Sequence, residues 1–141
     1  MSDYAARMKR GHRILKKMGR DQLMLDQKEA YPYLYELSVG HLFGDIWARP
    51  HLSLRERQLI TLATNIALAR PTGNHSHYHS ALHLGIKKEE IMELIIQVGA
   101  YAGWPVQGLA LRQFNKVLAV AKEAKRKKSK NMKEISAGWE K

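Results

Sequence analysis

The chain has 141 residues, a length that forms one domain with a buried core, and it contains no cysteine. Without cysteine, disulfides, thiolate metal sites and thiol redox chemistry are excluded. No apolar run approaches the roughly 20 residues that a membrane span needs. Charged residues follow the N-terminus without an apolar signal core, so we expect a cytoplasmic protein that does not enter a membrane.

The formal net charge of +11 is concentrated at the two ends of the chain. Residues 31–100 carry equal numbers of acidic and basic side chains, and the strongest basic run lies in residues 122–130. We therefore predict a helical domain over residues 1–121 followed by a basic C-terminal tail over residues 122–141. The tail is either a solvated segment or a surface for weak contact with nucleic acid or acidic partners.

The N-terminal part of the chain has the periodicity of two helices. The first is predicted over Tyr4–Met18, with Gly19 as its stop. The second covers residues 26–46, and Pro32 either starts or interrupts it. Residues 47–50 end the second helix, because the residue before a proline is pushed out of the α region.

The third predicted helix begins at Ser53, an N-cap residue that forms a capping box with Glu56. Its segment over residues 59–69 is apolar nearly all round, and this pattern predicts a buried helix. A polar stripe interrupts the apolar surface and either bonds neighbouring helices or lines a cavity. The stripe consists of Gln58, Thr61 and Asn65.

The fourth predicted helix follows a turn, with Asn74 or Thr72 as its cap and Gly85 as its stop. It carries four histidines within nine residues. At about 100° per residue, His77 falls in the apolar arc of this helix, whereas the other three follow the opposite side. Those three are His75, His79 and His83.

The inward phase of His77 permits two interpretations. It is either a core histidine bonded to a polar partner or a general acid or base, because imidazole titrates near neutrality. The pair His79 and His83 has the spacing of zinc ligands on a helix, but no third ligand suggests itself, so we predict no metal site.

The remaining periodicity predicts an amphipathic helix over residues 87–101 and, after residues 103–105, a last helix that runs through Leu109 into the basic tail. No segment has the alternation of a strand. The sequence therefore predicts an all-α, single-domain bundle of about six helices.

Five segments of this chain, in order and spacing, carry a resemblance to a known family. They are Gly44-Asp-Ile-Trp-Ala-Arg-Pro50, Arg55-x-Arg57-x-Leu-Ile-Thr-Leu-Ala63, His77-x3-Ala81-x3-Gly85, Glu89-Glu-Ile91 and Tyr101-Ala-Gly-Trp-Pro105. Over residues 31–120 the chain resembles the carboxymuconolactone decarboxylase family. The resemblance implies the alkylhydroperoxidase-D-like helical fold and a homo-oligomer, a trimer or hexamer. It also implies cofactor-free decarboxylation of a small carboxylated lactone in the degradation of aromatic compounds.

The related peroxidase branch of that superfamily uses a Cys-xx-Cys pair, whose positions are Arg70 and Gly73 here, and a relay glutamate, whose position is Gln58. No thiolate can form, so peroxide reduction by that route is not expected. The decarboxylase branch commonly has an arginine two residues after the motif histidine. This chain has His79 at that position, a weaker and pH-dependent partner for a carboxylate.

The resemblance assigns roles to seven residues, none of which requires a cofactor. His77 is the expected proton donor, His51 is the second catalytic residue, and either His51 or His79 is the oxyanion donor. The expected substrate-binding residues, for a small carboxylate or lactone, are Arg49, His79, Tyr101, Trp104 and Gln58. The competing hypothesis is a non-catalytic oligomeric helical protein whose basic tails contact nucleic acid or acidic partners.

Overall fold

The computed structural model describes residues 3–20 and 27–139, with side chains described as far as residue 128. Every regular element in these ranges is helical, so the all-α prediction is confirmed for the part of the chain described. The predicted start of the second helix at residue 26 lies outside the described residues. The elements are α1 (Asp3–Lys17), α2 (Pro32–Glu36), a π-helical segment (Leu37–Ile46), α3 (Leu54–Ala67), α4 (Asn74–His83), α5 (Lys88–Ala102) and α6 (Trp104–Trp139).

Pro32 occupies the first turn of α2, where its missing N–H costs nothing. Residues 27–30 are also helical and Tyr31 separates them from α2, so the predicted second helix is interrupted just before Pro32. α2 passes directly into the π-helical segment, and the backbone N–H of Trp47 closes that segment on the carbonyl of Leu42 at 2.9 Å. π-helical geometry is rare and is frequently found at functional sites. None of the described helices is long and apolar enough to cross a membrane.

Helix α1 packs against the π-helical segment at very short range. A Cβ on Gly11 would lie 1.8 Å from the carbonyl oxygen of Val39, and one on Gly44 would lie 2.4 Å from that of Arg7. Only glycine permits this approach of two backbones. The contact forms the first apolar cluster, which consists of Ile14, Leu15, Met18, Tyr35, Val39, Phe43 and Trp47.

Helices α3 to α6 enclose a second apolar cluster. Tyr78 and Phe114 lie at its centre with ring centroids 5.0 Å apart, and the Tyr78 hydroxyl donates to the carbonyl of Ala110 at 3.3 Å. Burial raises the pKa of Tyr78 to about 12, so its hydroxyl remains a donor at neutral pH. The cluster consists of Leu62, Ile66, Tyr78, Ala81, Ile86, Ile91, Ile95, Ala110 and Phe114.

Helix α3 begins at the capping box that the sequence predicts, with reciprocal bonds between Ser53 and Glu56. The prediction that α3 is buried on all sides is wrong for the single chain. Its inner face carries Leu62 and Ile66, but Ile60 is 52% exposed and Leu68 is 60% exposed. An isolated domain of this size has too few helices to cover both faces of α3.

The ends of α4 depend on two glycines. Gly73, with φ of 89°, is the N-cap, and no side chain caps the helix, so the prediction of Thr72 or Asn74 as the cap is wrong. Asn74 instead turns its buried amide towards α6, where it donates to Gln113 at 3.2 Å. Gly85, with φ of 84°, ends the helix as predicted.

Helix α6 continues without a break past residue 122, as far as Trp139. The predicted boundary between domain and tail is therefore not marked by a change of backbone structure. The basic side chains of residues 125–128 are exposed to solvent.

Candidate active site

His77 lies on the inner side of α4, partly buried, and the other three histidines of this helix are exposed. The helical phase of the sequence predicts this separation, and the structure confirms it. The rings of His79 and His83 stack on the outer side with centroids 6.3 Å apart. Among the described residues, no group of three or more His, Asp or Glu side chains is arranged to hold a metal ion.

The partner of His77 is Gln58, a fully buried residue of α3. The amide nitrogen of Gln58 lies 3.3 Å from Nδ1 of His77. An amide nitrogen can only donate, so Nδ1 accepts and the neutral ring carries its proton on Nε2. The Gln58 member of the polar stripe thus bonds a neighbouring helix. Its amide oxygen has no hydrogen-bond partner in the described part of the chain.

Burial lowers the pKa of His77 from 6.5 to about 4, and the positive charges of Arg20 and His75 add to the effect. Burial dominates because the charged imidazolium loses its hydration inside the protein. At neutral pH the ring is therefore uncharged in the free protein. A negative charge brought beside it would raise the pKa again and return the proton.

Arg20 is a site residue that the sequence analysis missed. It lies three residues beyond the end of α1 and directly after Gly19, which has φ of 67°. A Cβ on Gly19 would lie 2.8 Å from the ring of His83. The guanidinium of Arg20 lies 5.4 Å from the ring centroid of Phe43, and its Nη2 donates to the hydroxyl of Ser76 at 3.4 Å. The only signal in the sequence is an arginine placed immediately after a helix stop.

Arg20, Ser76, His77 and Gln58 lie where the two apolar clusters meet. Arg20 approaches Phe43 of the first cluster, and Gln58 belongs to the helix that supplies Leu62 to the second. Junctions between packed units are preferred places for small-molecule sites. A cavity of about 100 Å³ lies elsewhere, between α1 and the π-helical segment, and is lined by residues that include Tyr4. Tyr4 lies about 20 Å along α1 from Lys17, where the helix ends before Arg20, at the helical rise of about 1.5 Å per residue.

Of the seven residues assigned from the sequence, the structure brings two together, Gln58 and His77. The other five are exposed in the described chain. His51 has a positive φ of 83°, and the carbonyl of Arg49 accepts from Arg57 at 2.9 Å. His79 faces away from His77, on the outer side of α4. Tyr101 is 87% exposed and Trp104 is 65% exposed, at the turn between α5 and α6.

These features define a class of small all-helical protein. Its site consists of a half-buried histidine, His77, that is bonded to the buried amide of Gln58 and lies near the cation of Arg20. The chain belongs to the carboxymuconolactone decarboxylase family, whose sequence model matches residues 32–116. It is 33% identical over 75 residues to a 4-carboxymuconolactone decarboxylase of Acinetobacter baylyi, covering 53% of this chain and 56% of the relative.

A second relative is a nitrosuccinic acid decarboxylase of Metarhizium robertsii. It is 30% identical over 70 residues, covering 50% of this chain and 49% of the relative. The chain therefore spans about half the length of the curated relatives it matches. Both relatives are named as decarboxylases, although their named substrates differ.

Proposed function

We propose that the protein is a cofactor-free decarboxylase of a small carboxylated lactone, of the carboxymuconolactone kind, in the breakdown of aromatic compounds. Membership of the family supports the reaction type, and the names of the two relatives agree with it. The observation that carries the proposal is the buried contact between Gln58 and His77 next to a cation. This arrangement can store a proton, release it and attract an anion.

The reaction needs a place for the electrons of the broken bond. When a γ-carboxy butenolide loses CO2, the electron pair of the C–C bond moves through the ring alkene onto the lactone carbonyl oxygen. The resulting dienolate then takes a proton at a ring carbon. The protein must therefore hold the anion, stabilise the developing oxyanion and supply one proton.

His77 is suited to supply this proton when a substrate anion is present. The free ring is neutral at neutral pH, since its pKa is about 4. An anion beside it favours the imidazolium, so the proton arrives together with the substrate. The protonated ring would donate from Nε2 to the ring carbon and return to its neutral state as the product forms.

Gln58 can hold either form of the ring. Its amide nitrogen donates to Nδ1 of the neutral ring. When Nδ1 becomes protonated, rotation of the amide by half a turn presents the oxygen, which has no other partner among the described residues. A glutamine can thus position both states, because it carries a donor and an acceptor at the same reach.

The five exposed residues assigned from the sequence fit this proposal if copies of the chain assemble. Large apolar side chains on α3, α5 and α6 are exposed in the single chain, among them Ile60, Ile96 and Val120. Contiguous exposed apolar surface is typical of protein–protein interfaces. We propose a homo-oligomer, a trimer or hexamer, in which a neighbouring copy covers α3 and brings residues such as Tyr101 or Trp104 to the site.

The direct test is incubation of the purified protein with 4-carboxymuconolactone and, separately, with nitrosuccinate, with CO2 release as the readout. We expect turnover of the lactone that is lost on boiling and unaffected by a metal chelator. Uncatalysed rates with both compounds, at protein concentrations where the native fold is verified by circular dichroism, would contradict the proposal. Turnover of nitrosuccinate alone would support decarboxylase activity but would contradict the lactone as the substrate.

A further inference from the structure

Arg20 and Arg57 have no carboxylate partner among the described residues, and each has a shielded Nε without a hydrogen-bond partner there, but Arg57 donates to the backbone carbonyls of Arg49 and Pro50. The other arginines whose hydrogen bonds are described pair with carboxylates. Arg7 and Arg10 share the carboxylate of Asp45, and Arg55 and Arg126 each pair with a glutamate. The guanidinium of Arg20 is partly buried, and no carboxylate pairs with it in residues 3–20 and 27–128. Two of its nitrogens, Nε and Nη1, are shielded from solvent without a hydrogen-bond partner in those ranges.

The groups around this guanidinium are those of an anion site. The hydroxyl of Ser76 lies 3.4 Å from Nη2, and the face of Phe43 lies 5.4 Å from the central carbon. The charged or titratable groups that act on His77 from its surroundings are Arg20 and His75, both positive or neutral. A planar guanidinium with free N–H donors takes a carboxylate through two parallel hydrogen bonds.

We propose that Arg20 binds a carboxylate of the substrate, and that this is the carboxylate that the reaction retains. The proposal rests on the proposed function for the identity of the reaction, and on the Arg20 geometry for the binding. One carboxylate is held by the guanidinium beside Ser76, and the second is presented near His77, where it leaves as CO2.

The division between the two carboxylates follows from the energetics of decarboxylation. An ion pair stabilises a carboxylate in the ground state and disappears when CO2 leaves, so a clamp on the reacting group would slow its loss. A clamp on the other carboxylate persists into the transition state and positions the reacting carbon. Nitrosuccinic acid, named for one relative's activity, has such a dicarboxylate skeleton.

Binding at Arg20 also changes the state of His77. The positive charge of Arg20 is one cause of the low pKa of His77, and a bound carboxylate offsets that charge. Occupation of the site should therefore raise the pKa of His77 and draw a proton onto the ring. Substrate binding and protonation of His77, the proton donor, are then coupled.

The test uses succinate as the probe, with the neutral diamide succinamide as its isostere. Isothermal titration of the wild-type protein should show saturable binding of succinate and none of succinamide. Arg20→Gln should weaken succinate binding at least tenfold, and Arg20→Lys, which keeps the charge without the planar fork, should weaken it by less. Arg13→Gln, at an exposed arginine of the preceding helix α1, is the control and should bind as the wild type does.

A second readout begins with the wild-type protein, whose titration does not depend on the folding of any variant. In the wild type, saturating succinate should move the NMR titration of His77 to higher pH, and titration in two buffers of different ionisation enthalpy should show uptake of a proton. His77→Gln should bind succinate without proton uptake. Wild-type protein that does not bind succinate at tens of millimolar, or Arg20→Gln and Arg20→Lys that bind it as tightly as the wild type, would overturn the proposal.

Activity then separates the two proposals. If succinate binds through Arg20 but neither 4-carboxymuconolactone nor nitrosuccinate is turned over, the anion site stands and the proposed decarboxylase does not. If turnover occurs and Arg20→Gln leaves KM unchanged, the decarboxylase stands and the Arg20 assignment does not. If both are right, Arg20→Gln raises KM at least tenfold, whereas His77→Gln acts mainly on kcat.

Discussion

The amide nitrogen of Gln58 lies 3.3 Å from Nδ1 of His77 and joins α3 to α4 inside the protein. Gln58 is completely shielded from solvent, so the amide has no water with which to exchange this bond. The neutral ring is the form that this contact accepts without rearrangement. The pair therefore couples the protonation of the His77 ring on α4 to the orientation of the Gln58 amide on α3.

Replacement of His77 by glutamine should lower turnover of the proposed substrate by about 10²-fold or more, the usual scale for loss of a general acid. Glutamine retains a donor and an acceptor but has no titrating proton. CO2 release and thermal melting should be measured together. His75→Gln, on the exposed side of α4, is the control and should retain activity. A His77→Gln protein with full activity would remove the residue from the mechanism.

Stability should fall as the pH falls from 6.5 to about 4, because folding lowers the pKa of His77 to about 4. In this window the unfolded chain binds the proton and the folded chain does not, so acid favours unfolding; above 6.5 the penalty vanishes. The difference in unfolding free energy between wild type and His77→Gln should change by up to about 3 kcal/mol across the window. Urea melts at several pH values measure it, and parallel curves for the two proteins would contradict the assignment.

Gln58→Glu should raise the pKa of His77 from about 4 towards or above its ordinary 6.5. A buried carboxylate beside the ring favours the imidazolium by charge and by accepting from Nδ1–H. Gln58→Leu, which has similar bulk and no polar group, is the comparison and should leave the ring uncharged at neutral pH. NMR titration of the ring provides the measurement. An unchanged midpoint in Gln58→Glu would show that the two side chains do not interact in solution.

Gly19→Ala should destabilise the protein more than Gly85→Ala does. Both glycines have positive φ, which costs a residue with a Cβ about 1–2 kcal/mol. At Gly19 the new Cβ would also lie 2.8 Å from the ring of His83, whereas at Gly85 nothing lies within 4 Å. Denaturant melts should therefore rank the two variants, and equal losses would mean that the end of α1 does not approach α4 this closely.

Assembly is expected at micromolar concentration, with the mass of a trimer or hexamer in light scattering. Ile60→Glu places a charge on the exposed apolar face of α3 and should shift the mass towards the monomer, since a buried unpaired charge is costly. Lys9→Glu, at an exposed position of α1, is the charge-changing control. A wild-type monomer would confine the site to the residues of one chain.

The sequence by itself determined the all-helical class, the capping box at Ser53, the stop at Gly85 and the inward position of His77. These features depend on local periodicity and on the conformations that single residues allow, which a chain carries without reference to its fold. Five motifs in register also sufficed for the family, which the match over residues 32–116 confirms.

Only the tertiary structure decided which residues join His77. Arg20 reaches Ser76 across 56 positions of the chain, and it does so because Gly19 lets the end of α1 approach His83. The exposure of Ile60 on α3 likewise depends on which faces other helices cover. Hydrophobic periodicity reports how apolar a face is, whereas burial and pKa depend on neighbours that the chain brings from far along its length.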